Sequence, residues 1–205
     1  MVLKNKLGIN SEIELAKAEE RLSKLKAKRV FESGLLESLN AGSFDSLKII
    51  HFELFGDIYD FAGVIRDVNI SKGGFRFAPT TYLEVAIKNI ESMPQSCFDE
   101  IVEKYVEMNV AHPFREGNGR AMRIWLDVIF KTELKKVIDW KAIEREDYLM
   151  GMERSPIKDT EIKLLLKNAL SDKVDDADMF MKGIDASYYY EGYTLYKTNE
   201  IKEDE

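Results

Sequence analysis

Apolar residues recur at intervals of three and four along most of the chain, the spacing that places them on one face of an α-helix. The first such stripe consists of Leu15, Ala18, Leu22 and Leu25. Ser11 followed by Glu14 forms a capping box at its start, and the composition favours a helix as far as about Arg29. Because the other positions are charged, the pattern predicts a surface helix with one packed side and solvated faces elsewhere.

Similar stripes predict further helices, separated by glycine, serine and proline. The predicted segments are 44–55, 80–93, 96–111, a helix that begins after Gly119, 139–151 and 159–170. His51 lies on the apolar face of the second helix, and no second ligand type is spaced to assist it. We therefore interpret His51 as a packed core histidine. The acidic segment 172–178 predicts a loop or a helix start, and residues 201–205 predict a frayed tail.

One stretch departs from the helical pattern. Residues 64–70 are β-branched and partly alternating, residues 72–74 (Lys-Gly-Gly) form a turn signal, and the alternation resumes at 75–77. This order predicts a β-hairpin. A lone hairpin is marginally stable by itself, so it either packs on the helices or serves as an exposed edge. The chain as a whole is thus predicted to be an all-α helical bundle with a small β-hairpin flap at about 64–77.

Composition limits the classes of function. The chain has 205 residues, enough for one domain, and a formal net charge of −7. That charge argues against broad attraction to nucleic acid or anionic membranes. One cysteine, Cys97, excludes an intramolecular disulfide, and with only two histidines a structural zinc site is not expected. No apolar run has the length of a signal peptide or a membrane span, so we expect a cytoplasmic protein with no nucleic-acid and no membrane partner.

The densest chemistry lies between two apolar-faced helices, in residues 112–123, which read His-Pro-Phe-Arg-Glu-Gly-Asn-Gly-Arg-Ala-Met-Arg. Gly117 and Gly119 flank Asn118 just before a helix, so the backbone amides of this stretch can form a nest for an anion. Arg120 and Arg123 lie one turn apart and can hold further phosphate oxygens. The pattern predicts a phosphate site.

Two other residues of this loop suggest a reaction. The carboxylate of Glu116 would repel phosphates unless a cation lies between them, and Mg²⁺ is the usual choice. His112 can accept a proton from an attacking hydroxyl near neutral pH. Together they indicate transfer of a phosphorus group to a hydroxyl. The P-loop motif and the third glycine of G-x-G-x-x-G are both absent.

The loop resembles the signature of Fic-domain proteins, H-x-F-x-[D/E]-G-N-G-R-x-x-R, and matches all eight specified positions. The segment 50–66 is also similar to the family, although Phe61 stands where tryptophan is frequent. The predicted hairpin occupies the place of the family's target-binding flap. The resemblance covers about residues 40–195.

The resemblance implies a Fic fold that transfers AMP from ATP to a Tyr, Ser or Thr hydroxyl of a target protein. It implies that His112 is the general base and Glu116 the Mg²⁺ ligand, with Phe114 a core anchor. The implied phosphate-binding residues are Gly117, Asn118, Gly119, Arg120 and Arg123. The target protein would dock on the flap by strand addition. The implied flap residues are Ser71, Lys72, Gly73, Gly74 and Phe75.

A second motif follows the core. Ser187 and Glu191-Gly192 are similar to the inhibitory motif [S/T]-x-x-x-E-[G/N] of Fic proteins, in the class whose inhibitory helix is C-terminal. The resemblance implies that Glu191 pairs with Arg123 and removes the guanidinium that should hold the γ-phosphate. In some family members such a glutamate also serves the reverse reaction, removal of AMP from the target, with a divalent metal that need not be Mg²⁺.

These observations predict four regions: an N-terminal helical segment (1–39), a Fic core (40–180), a C-terminal autoinhibitory helix (181–197) and an acidic tail (198–205). Two alternatives stay open at this point. The chain could transfer another phosphate-containing group, such as UMP or phosphocholine, because the motif specifies phosphates more than the base. It could also be a catalytically silent regulatory binding module. A homo-oligomer is compatible with the sequence but is not specified by it.

Overall fold

The protein is described by a computed structural model, in which residues 2–72 and 75–202 can be described. Within those residues the chain forms nine α-helices. They are α1 (Glu12–Glu32), α2 (Leu35–Ser38), α3 (Phe44–Phe55), α4 (Thr80–Glu91), α5 (Phe98–Ala111), α6 (Asn118–Leu134), α7 (Arg145–Arg154), α8 (Thr160–Asn168) and α9 (Ala177–Tyr190). Two antiparallel strand pairs accompany them: β1 (Ser71–Lys72) with β2 (Phe75–Arg76), and β3 (Val137–Ile138) with β4 (Leu170–Ser171). The predicted helical bundle with a small hairpin is confirmed.

Helix α6 lies at the centre of the bundle. It packs against α3 and α5 and also touches α9. Its apolar residues are buried on almost every face, and Trp125 donates from Nε1 to the carbonyl of Ser43 at 2.9 Å. A helix enclosed in this way is held by its neighbours on all sides. Its N-terminus, which carries the glycine-rich loop, is therefore a fixed point of the molecule.

Helix α1 packs on α3 and α9. It begins as predicted, because Ser11 caps it by accepting a hydrogen bond from the amide of Glu14. The expectation that its charged faces are solvated was wrong. Glu19, Glu20 and Lys24 are each 2 % exposed or less, because residues 193–196 of the C-terminal segment lie over them and bond to them.

The hairpin is shorter than predicted. Residues 64–70 do not form a strand, and β1 and β2 pair over two residues each, Ser71 with Arg76 and Lys72 with Phe75. The preceding segment is instead folded around the buried side chain of Arg66, whose nitrogens donate to the carbonyls of residues 68, 78, 111 and 112. The turn residues Gly73 and Gly74, predicted for the flap, lie outside the described residues.

Two other boundaries differ from the sequence prediction. The segment 139–151 is divided into a 3-10 turn (Trp140–Ala142) and α7, which begins at Arg145. Helix α9 spans Ala177–Tyr190 and not 181–197, because Asp176 caps its start and Gly192 adopts a φ of +93° just after its end. Ile201, expected in a frayed tail, is only 8 % exposed. Over the described ranges, no helix combines the length and apolar character that a membrane crossing requires.

Candidate active site

The loop 112–117 is shaped by a left-handed residue at each end. His112 follows α5 with φ of +48°, and Gly117 precedes α6 with φ of +76°. Asn118 ties the loop together: its Oδ1 accepts from the amide of Phe114 at 2.8 Å, and its Nδ2 donates to the Phe114 carbonyl at 2.7 Å. Both ends of this amide are thus occupied by the loop backbone, where the resemblance implied a phosphate ligand.

His51 supports the loop from below. Its Nε2 donates to the carbonyl of Glu116 at 2.8 Å, its Nδ1 accepts from the amide of Gly63 at 2.9 Å, and its ring stacks on Phe114 at 3.9 Å. Burial lowers the pKa of His51 to about 4, so the imidazole is neutral at pH 7. The prediction of a packed core histidine is confirmed, and its position beneath the loop is an addition.

His112 is presented in one tautomer. Its Nδ1 lies 3.2 Å from the carbonyl of Asn109. A carbonyl only accepts, so Nδ1 carries the proton and Nε2 keeps its lone pair. The ring stacks on Phe77 with 3.7 Å between centroids, and Arg66 donates to the His112 carbonyl at 2.8 Å. Burial lowers the pKa of His112 to about 4, which leaves a neutral imidazole whose Nε2 has no hydrogen-bond partner among the described residues.

A cleft of about 590 Å³ opens beside His112, which is within the usual size range of a small-molecule site. Its floor is the loop and the N-terminus of α6, one wall is the hairpin, and the other wall is α7. The lining residues include Ser71, Lys72, Phe75, His112, Glu116, Gly117, Asn118, Gly119, Arg120, Arg123, Tyr148, Leu149, Met152, Glu153 and Glu191. The fold therefore brings the described residues of the predicted site to one cleft, with the exception of Ser187, which lies behind Arg123.

Arg123 is only 2 % exposed and is held by the end of α9. Its Nη2 donates to Glu191 Oε1 at 3.0 Å and to the Ser187 carbonyl at 2.9 Å, and its Nε donates to Ser187 Oγ at 2.6 Å. Its Nη1 donates to the hydroxyl of Tyr148 at 3.2 Å. Every nitrogen of the guanidinium is thus engaged, and two of the three are engaged by the motif that begins at Ser187.

Glu191 has a second cationic partner in the hairpin. Lys72 Nζ lies 2.9 Å from Glu191 Oε2, although the lysine side chain is 70 % exposed. Burial would raise the pKa of Glu191, but the charges of Arg123 and Lys72 outweigh burial and lower the pKa to about 2. Glu191 is therefore ionised and bridges the hairpin to α6.

Arg120 is bonded through both of its terminal nitrogens, whereas its buried Nε has no hydrogen-bond partner among the described residues. Its Nη1 donates to Glu19 Oε1 at 2.5 Å, and its Nη2 donates to Glu116 Oε1 at 3.1 Å. The guanidinium carbon lies 4.8 Å from the ring centroids of both Phe55 and Tyr193, and the residue is 1 % exposed. Arg120 therefore lies at the closed end of the cleft.

The carboxylate of Glu116 is placed where it can bind a cation. Its side chain is 44 % exposed and lines the cleft, and within the described part of the chain its hydrogen bonds, with Arg120 and the Gly117 amide, both use Oε1. Among residues 2–72 and 75–202, no group of three or more His, Cys, Asp or Glu side chains could hold a metal. One carboxylate is nevertheless the usual protein share of a Mg²⁺ site that is completed by substrate phosphates and water.

Comparison with known proteins agrees with this geometry. Residues 42–130 match the model of the Fic/DOC family. The chain carries a Fic domain. It is 33% identical over 159 residues to protein adenylyltransferase VbhT of Bartonella schoenbuchensis, a match that covers 71% of this chain and 32% of VbhT. The chain thus spans about a third of that relative's length.

Other relatives are closer in size. A probable protein adenylyltransferase Fic of Salmonella typhimurium is 28% identical over 183 residues, with coverage of 83% of this chain and 88% of the relative. Among solved structures, BepC of Bartonella tribocorum with bound AMPPNP superposes with a TM-score of 0.69 at 19% identity, covering 83% of this chain and 93% of BepC. The structural likeness shows a Fic fold over the 83% of the chain that is covered.

Four residues at this Fic site were not anticipated. Glu19 and Tyr148 contact the two arginines of the signature, and Arg66 and His51 hold the backbone of the loop. Glu19 had no usable signal, since it lies in a charged helix whose polar face looked solvated. The sequence of residues 50–66 did mark the region of His51 and Arg66, but not what their side chains bind.

Proposed function

We propose that this chain is a protein adenylyltransferase that transfers AMP from ATP to a Tyr, Ser or Thr hydroxyl of a target protein. The observation that carries the proposal is the Nε2 lone pair of a neutral His112, in one cleft with Glu116 and Arg123. Relatives that are themselves named protein adenylyltransferases support the same reaction.

In this reaction Nε2 of His112 accepts the proton of the target hydroxyl. The hydroxyl oxygen forms a bond to the α-phosphorus of ATP, and the bond from that phosphorus to the bridging oxygen breaks, so that pyrophosphate leaves. Because His112 is neutral at pH 7, no proton has to be removed from it first. A positioned base of this kind contributes roughly a hundred- to ten-thousand-fold in rate.

The nucleotide phosphates are proposed to lie at the N-terminus of α6. There the amides of Gly117 and Gly119 and the positive end of the helix dipole favour an anion. Glu116 would hold Mg²⁺ together with phosphate oxygens, and the cation would neutralise part of the triphosphate charge. Arg123 would bind the γ-phosphate once Glu191 is displaced.

The target protein is proposed to add a strand to the hairpin. Ser71, Lys72 and Phe75 lie in the two short strands at the mouth of the cleft. Backbone pairing at such an edge fixes the distance between a target hydroxyl and His112 without reading much of the target's sequence. A hydroxyl side chain in an extended segment is the substrate that this geometry favours.

We further propose that Glu191 inhibits the enzyme in cis. Its ion pair with Arg123 is nearly buried, and breaking a buried pair costs roughly 3–5 kcal/mol. Each tenfold of rate corresponds to about 1.4 kcal/mol, so the pair is strong enough to suppress transfer by two or more orders of magnitude. ATP that binds beside an occupied Arg123 would have its α-phosphate misaligned.

The test is transfer of α-³²P-labelled AMP to the chain itself or to proteins of a lysate. Glu191→Gly is expected to raise labelling at least tenfold over wild type, and Glu191→Gly with His112→Ala to abolish it while ATP binding persists. Ordinary labelling by the His112→Ala protein would remove the base assignment. Labelling from UTP and not from ATP would indicate transfer of UMP instead.

Glu191 is also proposed to serve the reverse reaction, by accepting a proton from a water whose oxygen attacks the phosphorus of the AMP-modified side chain; the bond from that phosphorus to the target oxygen breaks, and AMP and the free hydroxyl are released. The carboxylate lies in the same cleft as His112 and Glu116. An AMP-modified target incubated with Mg²⁺ or Mn²⁺ and no ATP should release AMP with wild-type protein and not with Glu191→Ala. Equal release by both proteins would contradict this role.

A further inference from the structure

Glu19 is a buried carboxylate, and both of its oxygens accept hydrogen bonds from other side chains. The residue is 2 % exposed. Its Oε1 accepts from Arg120 Nη1 at 2.5 Å and from the Tyr193 hydroxyl at 2.6 Å, and its Oε2 accepts from the Tyr59 hydroxyl. A buried carboxylate is tolerated only where it is paired and hydrogen-bonded to this degree. Burial would raise its pKa, but Arg120 and the two tyrosines outweigh burial and lower it.

The contacts of Arg120 with its two carboxylates are unequal. Nη1 lies 2.5 Å from Glu19 and Nη2 lies 3.1 Å from Glu116. Glu19 is buried, whereas the Glu116 side chain is 44 % exposed, so water screens the second contact far more than the first. The strong partner of Arg120 is therefore the glutamate outside the signature, and the weak partner is the proposed metal ligand.

This inequality has a consequence for Glu116. Without a negative charge at residue 19, Arg120 would be a buried cation whose remaining carboxylate neighbour in the described chain is Glu116. Attraction between unit charges grows as the local dielectric falls, so Arg120 would draw Glu116 toward itself and away from the cleft. The aromatic rings of Phe55, Tyr188 and Tyr193 all have centroids within 5.3 Å of the guanidinium carbon and leave it little room to turn elsewhere.

We propose that Glu19 is a positioning residue of the phosphate site: it holds Arg120 and offsets its charge, so that Arg120 holds Glu116 only weakly and Glu116 can bind a divalent cation with ATP. The inference rests on the proposed function for the identity of the ligand. It assigns to α1 a part in nucleotide binding, in addition to its packing on α3 and α9.

The test measures ATP binding by titration calorimetry, on the full chain with Glu191→Gly so that Arg123 is available. Glu19→Gln is expected to raise the Kd for ATP with Mg²⁺ at least tenfold, with unchanged stoichiometry. The Kd measured in EDTA should not rise. A purely structural role would instead lower the fraction of protein that binds. In AMP-transfer assays, Glu19→Gln should raise KM for ATP and change kcat less than threefold.

Glu20→Gln is the matched control. Glu20 is the next residue of α1 and is 1 % exposed, but it bonds Lys24 and the amides of residues 195 and 196. Its replacement should leave the Kd within twofold. A Glu20→Gln effect equal to that of Glu19→Gln, a Glu19→Gln effect below twofold, or an equal loss in EDTA would each overturn the proposal.

Two further variants cover other outcomes. If Glu19→Gln does not fold, Glu19→Asp keeps the charge but withdraws it from Arg120, and a smaller rise in Kd confined to Mg²⁺ is expected by the same criteria. In an Arg120→Lys background, replacing Glu19 should change log Kd by less than half as much as it does when Arg120 is present.

If the parent protein binds ATP with Mg²⁺ but transfers no AMP, the proposed function fails, while the Kd comparison still decides the part played by Glu19.

Discussion

At the scale of single residues, the two glycines of the loop are required for different reasons. Gly117 has φ of +76°, and a Cβ built there would lie 2.5 Å from Cε2 of the buried Phe55 ring. Gly119 has ordinary helical geometry, and its Cβ would lie 2.5 Å from Glu191 Oε1 and 3.1 Å from Arg123 Nη1. The first position is restricted by backbone conformation and by the core, the second by the ends of two flexible side chains.

Gly117→Ala is therefore expected to lower the free energy of unfolding by about 2–4 kcal/mol, from left-handed strain and crowding of Phe55 together. Gly119→Ala should lower it by less, about 1–2 kcal/mol, because the end of the Glu191 side chain has to shift and weaken its pair with Arg123, while alanine is the better helix former. Urea unfolding followed by circular dichroism measures both. Equal losses for the two variants would show that the loop backbone is not under this constraint.

The sequence identified which residues of the loop meet, but not how each side chain is used. The spacing of His112, Glu116 and Arg123 was enough to predict a shared site, because a loop and the first turns of one helix keep their residues close. Arg120 was assigned to phosphate from its spacing to Arg123, and Asn118 from the resemblance to Fic proteins. In the structure Asn118 bonds the Phe114 backbone and Arg120 pairs with Glu19, contacts that depend on packing, and Glu19 lies 101 residues away from Arg120.

At the scale of elements, the hairpin and the end of α9 are joined by one ion pair. Lys72 on β1 reaches Glu191 across the mouth of the cleft. A target strand that docks on the hairpin would compete for the same lysine or move it. The pair thus connects the proposed target surface with the proposed inhibitory residue.

Lys72→Ala is expected to raise AMP transfer by the wild-type chain about two- to fivefold, well below the effect of Glu191→Gly. An exposed ion pair is worth at most about 1 kcal/mol, which corresponds to about fivefold in rate. The same substitution in the Glu191→Gly protein should bring no further increase. Arg76→Ala, an exposed cation on β2, is the control and should leave the rate within twofold.

An increase with Lys72→Ala as large as that with Glu191→Gly would mean that the lysine, and not Arg123, is the main partner of Glu191. No increase at all would mean that the contact contributes nothing to inhibition.

The elements that the sequence predicted best were those with a buried stripe and a clear end. Helix α3 begins after Ser43 and ends before Gly56 as predicted, since local capping and periodicity act within a few residues. The segment 64–70 was predicted as a strand because it is β-branched, but the bonds of Arg66 to distant carbonyls prevail over that propensity. The solvated face expected for α1 was wrong for the same reason, since residues 193–196, which are distant in sequence, cover that face.

At the scale of the whole molecule, both histidines of the chain are neutral in the folded state. Burial lowers the pKa of His51 and of His112 to about 4, from an ordinary value near 6.5. Below pH 6.5 the unfolded chain therefore binds protons that the folded chain does not. The free energy of unfolding that depends on the two neutral histidines is therefore fully present above pH 6.5 and should fall as the pH drops toward 4.

His51 allows this linkage to be measured, because it is completely buried and lies outside the cleft. A shift of about 2.5 pKa units corresponds to on the order of 3 kcal/mol. Wild type should lose about 2 kcal/mol more stability than His51→Gln between pH 6.5 and pH 4.5, even though the variant is less stable at pH 7.5 through the lost bonds to residues 63 and 116. Urea unfolding at one-unit intervals of pH measures both slopes.

Comparing wild type with His51→Gln cancels the contributions of other groups that titrate between pH 6.5 and pH 4.5. Burial raises the pKa of Asp127 to about 7, so its contribution runs in the opposite direction, lost as the pH rises, and it is common to both proteins. Glu191, with its pKa lowered to about 2, stays ionised across the window. Parallel slopes for wild type and His51→Gln would mean that His51 accepts a proton in the folded protein, and that the loop it supports can open without unfolding the bundle.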